Sequence, residues 1–432
     1  MPLDRDLIII GFDVEWVYIP GTDSNRILSY QYYGKALKGT WSGIIYPIGP
    51  NKTDRLKFIK FIGQAIEGGR AAKILPYKWP THLYVSAHFS RADLSSFSDF
   101  NSLKNKFDSV QKTYVTISRP YKDVFTDASN NSHSLTISLI DTMLNSPNGS
   151  SLETLGELHG VQKIKLPPGS IEQMDVLLEK DKPLFELYAL RDAEISAKHA
   201  WYMAEFVSEH LGGKAPPTTL GNLAVKHFES LLETSKIKLN DLLGKEVIKQ
   251  KKYNPKSKQY ITSKTSKLLT RVHAHETGAS EAFHGGRNEA YVFGFTEDDQ
   301  WVDVDLAGAY TTAMVAIKMP DWDKLKVVQD IKEFKADELG FAYLKFKFPS
   351  DTIYPCLPVR SDNGLIFPLE GETYAGSPEI VLALEMGAVL TDVEGVIVPW
   401  ASDDRPFEPF STDIKQRREA NIKGSPPEQT WK

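Results

Sequence analysis

The chain has 432 residues, room for about three domains at roughly 150 residues each. Hydrophobic residues make up 41% and charged residues 25%, ordinary for a folded protein, and the single cysteine, Cys356, excludes a disulfide framework and any cysteine-cluster metal site. A formal net charge of −5 excludes a uniformly basic nucleic-acid coat, but not basic tracks offset by an acidic metal site.

In chain order, residues 7–13 (LIIIGFD) form a short apolar run ending in an acid, the pattern of a buried central strand. Residues 26–33 and 42–47 read as two further strands of an antiparallel meander. Residues 53–67 carry apolar side chains at helical spacing, with Thr53 or Asp54 as the cap. Strands follow at 82–87 (HLYVSA) and 135–141 (LTISLID), then a long helix over 183–209 with Pro183 near its start, where the missing N–H costs nothing. These elements predict an α/β fold, a mixed sheet with helices on its faces. A boundary is expected after Gly212-Gly213, and a helix over 218–232. Residues 236–271 hold eleven Lys/Arg against two Asp/Glu. Such a run suits a phosphate backbone, or else a solvated loop or linker. From Tyr291 the chain reads as strands again, through Trp301–Asp305, Phe341–Phe348 and Leu365–Phe367. A helix over 378–386 is closed by Gly387, and 414–432 is basic and helix-like until Gly424. The apolar start is too short for a secretory signal, and no run approaches the ~20 residues of a membrane span.

Three weak signals gain weight together. Asp13 and Glu15 lie two apart on a strand, so both carboxylates project to one side. Asp93 follows the strand HLYVSA within the segment that opens with His88. Tyr188 and Asp192, four apart on a helix, share a face. Each alone is ordinary: a solvated strand end, a helix-start acid, an exposed helical pair. As a set, four carboxylates can hold two Mg²⁺ or Mn²⁺ ions about 3.5–4 Å apart. One ion activates a water and the other stabilises a leaving 3′-oxygen, while Tyr188 orients the water or the scissile phosphate. Asp141, ending its own strand, reads as a supporting structural acid or else as a fifth acid of the set. Further along, Phe283-His284-Gly285-Gly286 lets backbone approach a nucleic-acid strand closely. Asp305, followed by Leu306 and Tyr310, suits a metal-bound triphosphate with a ring packed on the sugar.

The order Asp-x-Glu, His88 to Asp93, then Tyr-x₃-Asp resembles the three exonuclease motifs of the DnaQ-like (DEDD) 3′–5′ exonucleases, with His88 where Asn is usual. The passage 139–167 also resembles theirs. The resemblance implies a ribonuclease-H-like fold for residues 1–212. Residues 283–310 resemble family B DNA polymerases, most closely the protein-primed branch. Phe283, His284, Gly285 and Gly286 resemble the Tyr-x-Gly-Gly/Ala motif, a DNA contact, and Asp305 to Tyr310 resembles polymerase motif A. By that resemblance Asp305 is a catalytic metal ligand, Leu306 offers its carbonyl to the metal, and Tyr310 is a steric gate against ribonucleotides. Lys432 resembles the first residue of motif B, with Arg417 and Lys423 as upstream phosphate contacts. The implied organisation is an exonuclease domain (1–212), a helical and basic linker (213–282), and a partial α+β palm with an insertion (283–432) that stops at motif B. The rest of motif B and the later Asp-Thr-Asp motif are missing from this sequence. The expectation is therefore a DNA-directed polymerase fragment of DNA replication and proofreading that retains metal-dependent 3′–5′ exonuclease activity on single-stranded DNA and does not polymerise alone. Its expected partners are single-stranded and primer-template DNA, dNTP in the parent protein and a terminal-protein primer, with no membrane and a cytoplasmic setting. The competing expectation is an inactive remnant that binds DNA or a partner protein.

Overall fold

The computed structural model describes residues 3–19, 21, 25–106, 109–110, 115–116, 120–254, 258–295, 301–306, 308–362 and 364–432. The chain divides into two compact units, residues 1–227 with 414–432, and 228–413. The division falls inside the helix Leu220–Thr234 rather than at residue 212, and residues 414–432 count with the first unit rather than with the palm-like segment.

The first unit is built on a mixed sheet. Its strands are β1 (Ile8–Tyr18), β2 (Asn25–Ala36), β3 (Gly39–Ile45), β4 (His82–Ala87), β5 (Tyr121–Thr126) and β6 (Ser132–Asp141), in the spatial order β3-β2-β1-β4-β6-β5. β1 runs antiparallel to β2 and parallel to β4, and β4 runs parallel to β6. The meander, the parallel strands and the α/β class all match the sequence expectation.

Alternation along β1 decides what each face of the sheet does. Ile8, Ile10, Phe12 and Val14 pack with Phe58, Phe61, Ile62, Ala65 and Ile66 of helix α1 (Phe58–Ala71). The alternate residues Leu7 and Ile9 pack with Ile140, Ala197, Ala200, Trp201 and Ala204 on the opposite face. Asp13 and Glu15 continue that second set, so β1 carries them to the face of the long helix. α1 starts later than expected: Lys52–Asp54 forms only a 3₁₀ turn, and the Phe58 N–H donates instead to Asp99 Oδ1 at 2.9 Å.

The later helices of this unit include the short α2 (Ser90–Leu94) and α3 (Leu152–Leu158) and the long α4 (Lys182–Leu211). Asp181 caps α4 by accepting from the Leu184 N–H at 3.1 Å, and Gly212 ends it with φ 65°. α4 turns a stripe of small residues, Ala189, Ala193 and Ala197, toward the sheet, all fully buried. Gly11 of β1 meets that stripe. A Cβ on Gly11 would lie 2.3 Å from the Ala193 carbonyl oxygen and 2.7 Å from the Ala197 nitrogen. This contact sets how closely β1 approaches α4.

The second unit is α+β. Strands β9 (Lys326–Val328), β10 (Leu339–Lys347), β11 (Glu370–Gly376) and β12 (Val389–Val398) form an antiparallel sheet in the order β9-β12-β10-β11. Leu344, Phe346, Ile380, Ala383 and Ile397 form part of its core. The helix Ser377–Glu385 lies against it, and Gly387 follows with φ 81°, the stop expected from the sequence. The basic stretch does not form a loop. It folds into a two-stranded ribbon, β7 (Lys245–Asn254) with β8 (Gln259–Leu268). Its connecting residues 255–257 lie outside the described residues, as does Ala307. The strands expected from Tyr291 and over Trp301–Asp305 are absent among the described residues. The alternating Trp-Val-Asp-Val-Asp pattern has no strand partner among the described residues, and Trp301, Val302, Val304 and Leu306 are 67%, 79%, 85% and 75% exposed. A strand pattern becomes a strand only when a neighbour takes its N–H and C=O groups. Among the described residues, no helix is long and apolar enough to cross a membrane.

Candidate active site

The long helix and the central strand bring the first-half acids together. Asp13 and Glu15 leave β1 on the face of α4, where Asp192 and Tyr188 project one turn apart. Asp93 sits on α2, immediately after β4, the parallel neighbour of β1. Asp93 and Asp192 are 5% and 6% exposed.

The electrostatics show that these groups share one field. Asp13 is pushed up to about 7, first by burial and then by the charge of Asp192. Burial also raises Glu15 well above the carboxylate range, with Asp13 and Asp192 adding to it, and Glu15 lies within hydrogen-bonding reach of Asp13. Asp93 is raised well above that range by burial, then by Asp13, Glu15, Asp141 and Asp192. Burial raises Asp192, opposed by Lys163. Like charges held this close favour their protonated forms unless a cation lies among them.

Two partners of the acids were not foreseen. Lys163, in the loop after α3, places its ammonium 2.8 Å from Asp192 Oδ2 and 5.3 Å from the centre of the Tyr188 ring. Burial works against the charge on Lys163, but the Asp192 carboxylate outweighs it and holds the ammonium protonated. Gln31, directly opposite Asp13 in the β1–β2 register, donates from Nε2 to Asp13 Oδ2 at 2.6 Å. Ser29, opposite Glu15, donates in turn to Gln31 Oε1 at 3.0 Å. The one sequence signal for this pair was two polar residues inside the otherwise apolar run LSYQYY.

Asp141 serves as a clamp. Its carboxylate accepts from the Phe89 N–H at 3.1 Å, the Ser90 N–H at 2.9 Å, the Ser90 hydroxyl at 2.8 Å and the Met143 N–H at 3.1 Å. These bonds hold Phe89 in the left-handed region, φ 59° and ψ 49°, at the entry to α2, and so fix where Asp93 points. Asp141→Ala leaves three N–H groups without an acceptor. It is expected to cost about 3 kcal/mol in chemical denaturation, at roughly 1 kcal/mol for each group left unpaired. Asp141→Asn, which keeps an oxygen acceptor, should cost less. Equal losses for the two variants would argue against the clamp. His88 packs beside it as a neutral ring, lowered to about 4 by burial and by Lys163, with Nδ1 3.1 Å from Thr142 Oγ1.

The donor set is all carboxylate oxygen, which suits a hard divalent cation. Asp192 Oδ1 is buried with no hydrogen-bond partner, an acceptor left open beside the other acids. Among the described residues, no three acidic or imidazole groups converge tightly enough to make a ready-formed metal cage. Occupation by an ion therefore requires the side chains to draw in. A cleft of about 410 Å³, lined by Lys163, Lys165, Arg191, Glu153 and Glu157 among others, opens beside Asp192.

The second-half residues are not gathered in the same way. Asp305 and Leu306 lie in the exposed segment without strand partners, and Tyr310 is 78% exposed on the helix Ala309–Met314. A Cβ on Gly286 would lie 3.2 Å from the Tyr310 hydroxyl, so these two motifs do meet, while Gly285 faces open space. His284 is 2.5 Å from Glu379 Oε1, and Phe283 is 78% exposed. Arg417, Lys423 and Lys432 belong to the other unit, with Arg417 stacked 4.7 Å from the Trp431 ring.

Known proteins share much of this framework, although no family model matches the chain. The primer-independent DNA polymerase PolB of Escherichia coli is 36% identical over 461 residues, covering 100% of the chain and 53% of the relative. The chain thus spans about half the length of that curated relative. Among solved structures, Phi29 DNA polymerase complexed with single-stranded DNA matches with a TM-score of 0.57 at 12% identity, over 98% of the chain and 65% of the other. The same polymerase with primer-template DNA gives 0.55 at 12%, over 98% and 66%. At that identity the likeness concerns the fold.

Proposed function

We propose that this chain, a relative of the family B DNA polymerases along its whole length, carries their 3′–5′ exonuclease site on a ribonuclease-H-like first unit. The observation that carries this reading is the meeting of Asp13, Glu15, Asp93 and Asp192 in one buried field, with the Asp192 Oδ1 acceptor left open. These four residues would hold Mg²⁺ or Mn²⁺, which would supply an activated water and charge stabilisation for the leaving 3′-oxygen. The chain's own groups do the rest. Gln31 orients Asp13, and Lys163 opposes the rise that burial imposes on Asp192 while holding its Oδ2. Tyr188, whose hydroxyl is pushed up to about 12 by burial and Asp192, stays a proton donor to the phosphate at neutral pH. Lys163, Lys165 and Arg191, which line the neighbouring cleft, would offer positive charge to an approaching strand.

DNA-directed DNA synthesis is proposed for the longer polymerase to which the chain is similar, in replication and in the cytoplasm. There Asp305, Leu306, Tyr310, Arg417, Lys423 and Lys432 would serve the metal-bound nucleotide, and His88, Phe283, Gly285 and Gly286 the DNA. Nucleoside triphosphates and a protein primer rest on the resemblance alone. By itself we read this chain as a nuclease rather than a polymerase, since Asp305 lies exposed and without a strand partner among the described residues.

The test is degradation of a 5′-labelled single strand in Mn²⁺. A ladder shortening from the 3′ end, abolished by EDTA, is expected. Binding without any cutting would favour an inactive DNA-holding remnant. Stability offers a second check. A carboxylate whose folded pKa exceeds its unfolded value stabilises the fold least at high pH. For Asp13 that loss accrues from 3.8 to about 7. In EDTA the melting temperature of the chain should therefore fall as pH rises through this window, and Mn²⁺ should restore it most at the alkaline end. A profile that Mn²⁺ does not change would contradict the site.

A further inference from the structure

We propose that the ribbon Lys245–Asn254/Gln259–Leu268 is a grip for double-stranded DNA, one face of which lies along the phosphates of the duplex. It does not depend on the nuclease reading. In a chain of net charge −5, residues 245–268 hold eight lysines and one glutamate. The pairing register sorts these charges by face. Lys249 stands directly opposite Lys264, Lys251 opposite Thr262, and Tyr253 opposite Tyr260. Alternation places Lys245, Lys249, Lys251 and Lys264 on the face that carries both tyrosines. Glu246, the ribbon's one acid, stands opposite Lys267 on the other face.

Lys249, Lys251 and Lys264 are exposed and form no ion pair among the described residues. Like charges directly opposite one another weaken a strand pair, and a lone two-stranded ribbon is marginal to begin with. At the base, the Leu269 N–H donates to the Gly244 carbonyl at 2.9 Å and the Ser266 hydroxyl to Asn240 Oδ1 at 2.8 Å. Neither bond neutralises the lysines. Scattered lysines suffice to blunt a sheet edge; a face with no acid at all calls for a polyanion as its counter-charge.

The form of the element identifies which one. A two-stranded ribbon fits the major groove of a duplex, about 12 Å wide and bordered by phosphates. Single-strand sites are instead walled grooves in which bases stack on free aromatic faces. Here Tyr253 and Tyr260 pack edge-to-face on each other, with ring centres 5.3 Å apart.

The experiment uses the full chain in EDTA, so that no strand is cut, with anisotropy of a labelled blunt duplex read across a potassium chloride series. The variant Lys249→Gln/Lys251→Gln/Lys264→Gln is expected to lower the slope of log K against log salt by about 2.7, at about 0.9 for each phosphate no longer neutralised. The matching triple arginine variant should keep the slope. An unchanged slope in the glutamine variant overturns the proposal. So does an equal fall in the arginine variant, which would show that charge is not the agent. A weakening confined to an unpaired oligonucleotide, or to vesicles containing phosphatidylserine, overturns it as well.

Discussion

Asp13→Ala is expected to slow removal of 3′ nucleotides in Mn²⁺ about a thousandfold or more, equivalent to about 4 kcal/mol of transition-state stabilisation. Asp13 is the acid through which the others communicate. It faces Asp192 across the β1–α4 contact, raises Asp93 and Glu15, and is itself aligned by Gln31. Removing it would leave a bound ion short of one carboxylate ligand. The same substitution should raise the melting temperature in EDTA, because it relieves repulsion among buried carboxylates. Lost activity with gained stability cannot be mistaken for unfolding. Lys163→Met should show the opposite pairing: a fall in rate on the order of a hundredfold with a loss of stability, since Asp192 is then left buried without its cation. Kinetics and thermal melts of the two variants side by side check both statements. An Asp13→Ala chain with undiminished activity would refute the site assignment.

Gly11→Val should be the most damaging change that touches no charged group. With a Cβ 2.3 Å from the Ala193 carbonyl and 2.7 Å from the Ala197 nitrogen, the obstacle is helix backbone, which cannot swing aside as a side chain can. Overpacking of this kind costs about 3 kcal/mol or more. Any relaxation must move α4 away from β1, and with it Asp192 away from Asp13. Stability and nuclease rate should fall together. Gly221→Ala provides the control: it lies in a helix, and the nearest atom to its Cβ would be 3.8 Å away. A Gly11→Val chain that melts and cuts like the parent would mean that the β1–α4 spacing is not critical.

What is legible in the sequence is what local periodicity encodes. The strand LIIIGFD announces a two-faced position for Asp13 and Glu15, and the three alanines of α4 fall at helical spacing with Asp192 beside them. What stays hidden depends on contacts between distant segments. Lys163 lies in a loop with no pattern of its own, and only the fold brings it to Asp192. Asp141 can be read as an acid at a strand end, but its four donors come from three other residues, two of them some fifty positions earlier. Residues 301–306 show the reverse error. Their pattern is a good strand, yet pairing is a property of two segments and none of the described residues supplies the second. The basic stretch reads as solvated loop because lysine is a poor strand former. In the ribbon Thr262, Ser263, Thr265 and Ser266 flank Lys264 and Lys267, and all of them find partners on the opposite strand.

The central claim is that four acids from three elements close around divalent ions. The most direct measurement is anomalous scattering from a crystal of the chain soaked in Mn²⁺. The expected result is manganese coordinated by Asp13 together with Asp192, with Glu15 or Asp93 completing the ligand set. Manganese found only elsewhere on the chain, with these carboxylates still apart, would contradict it.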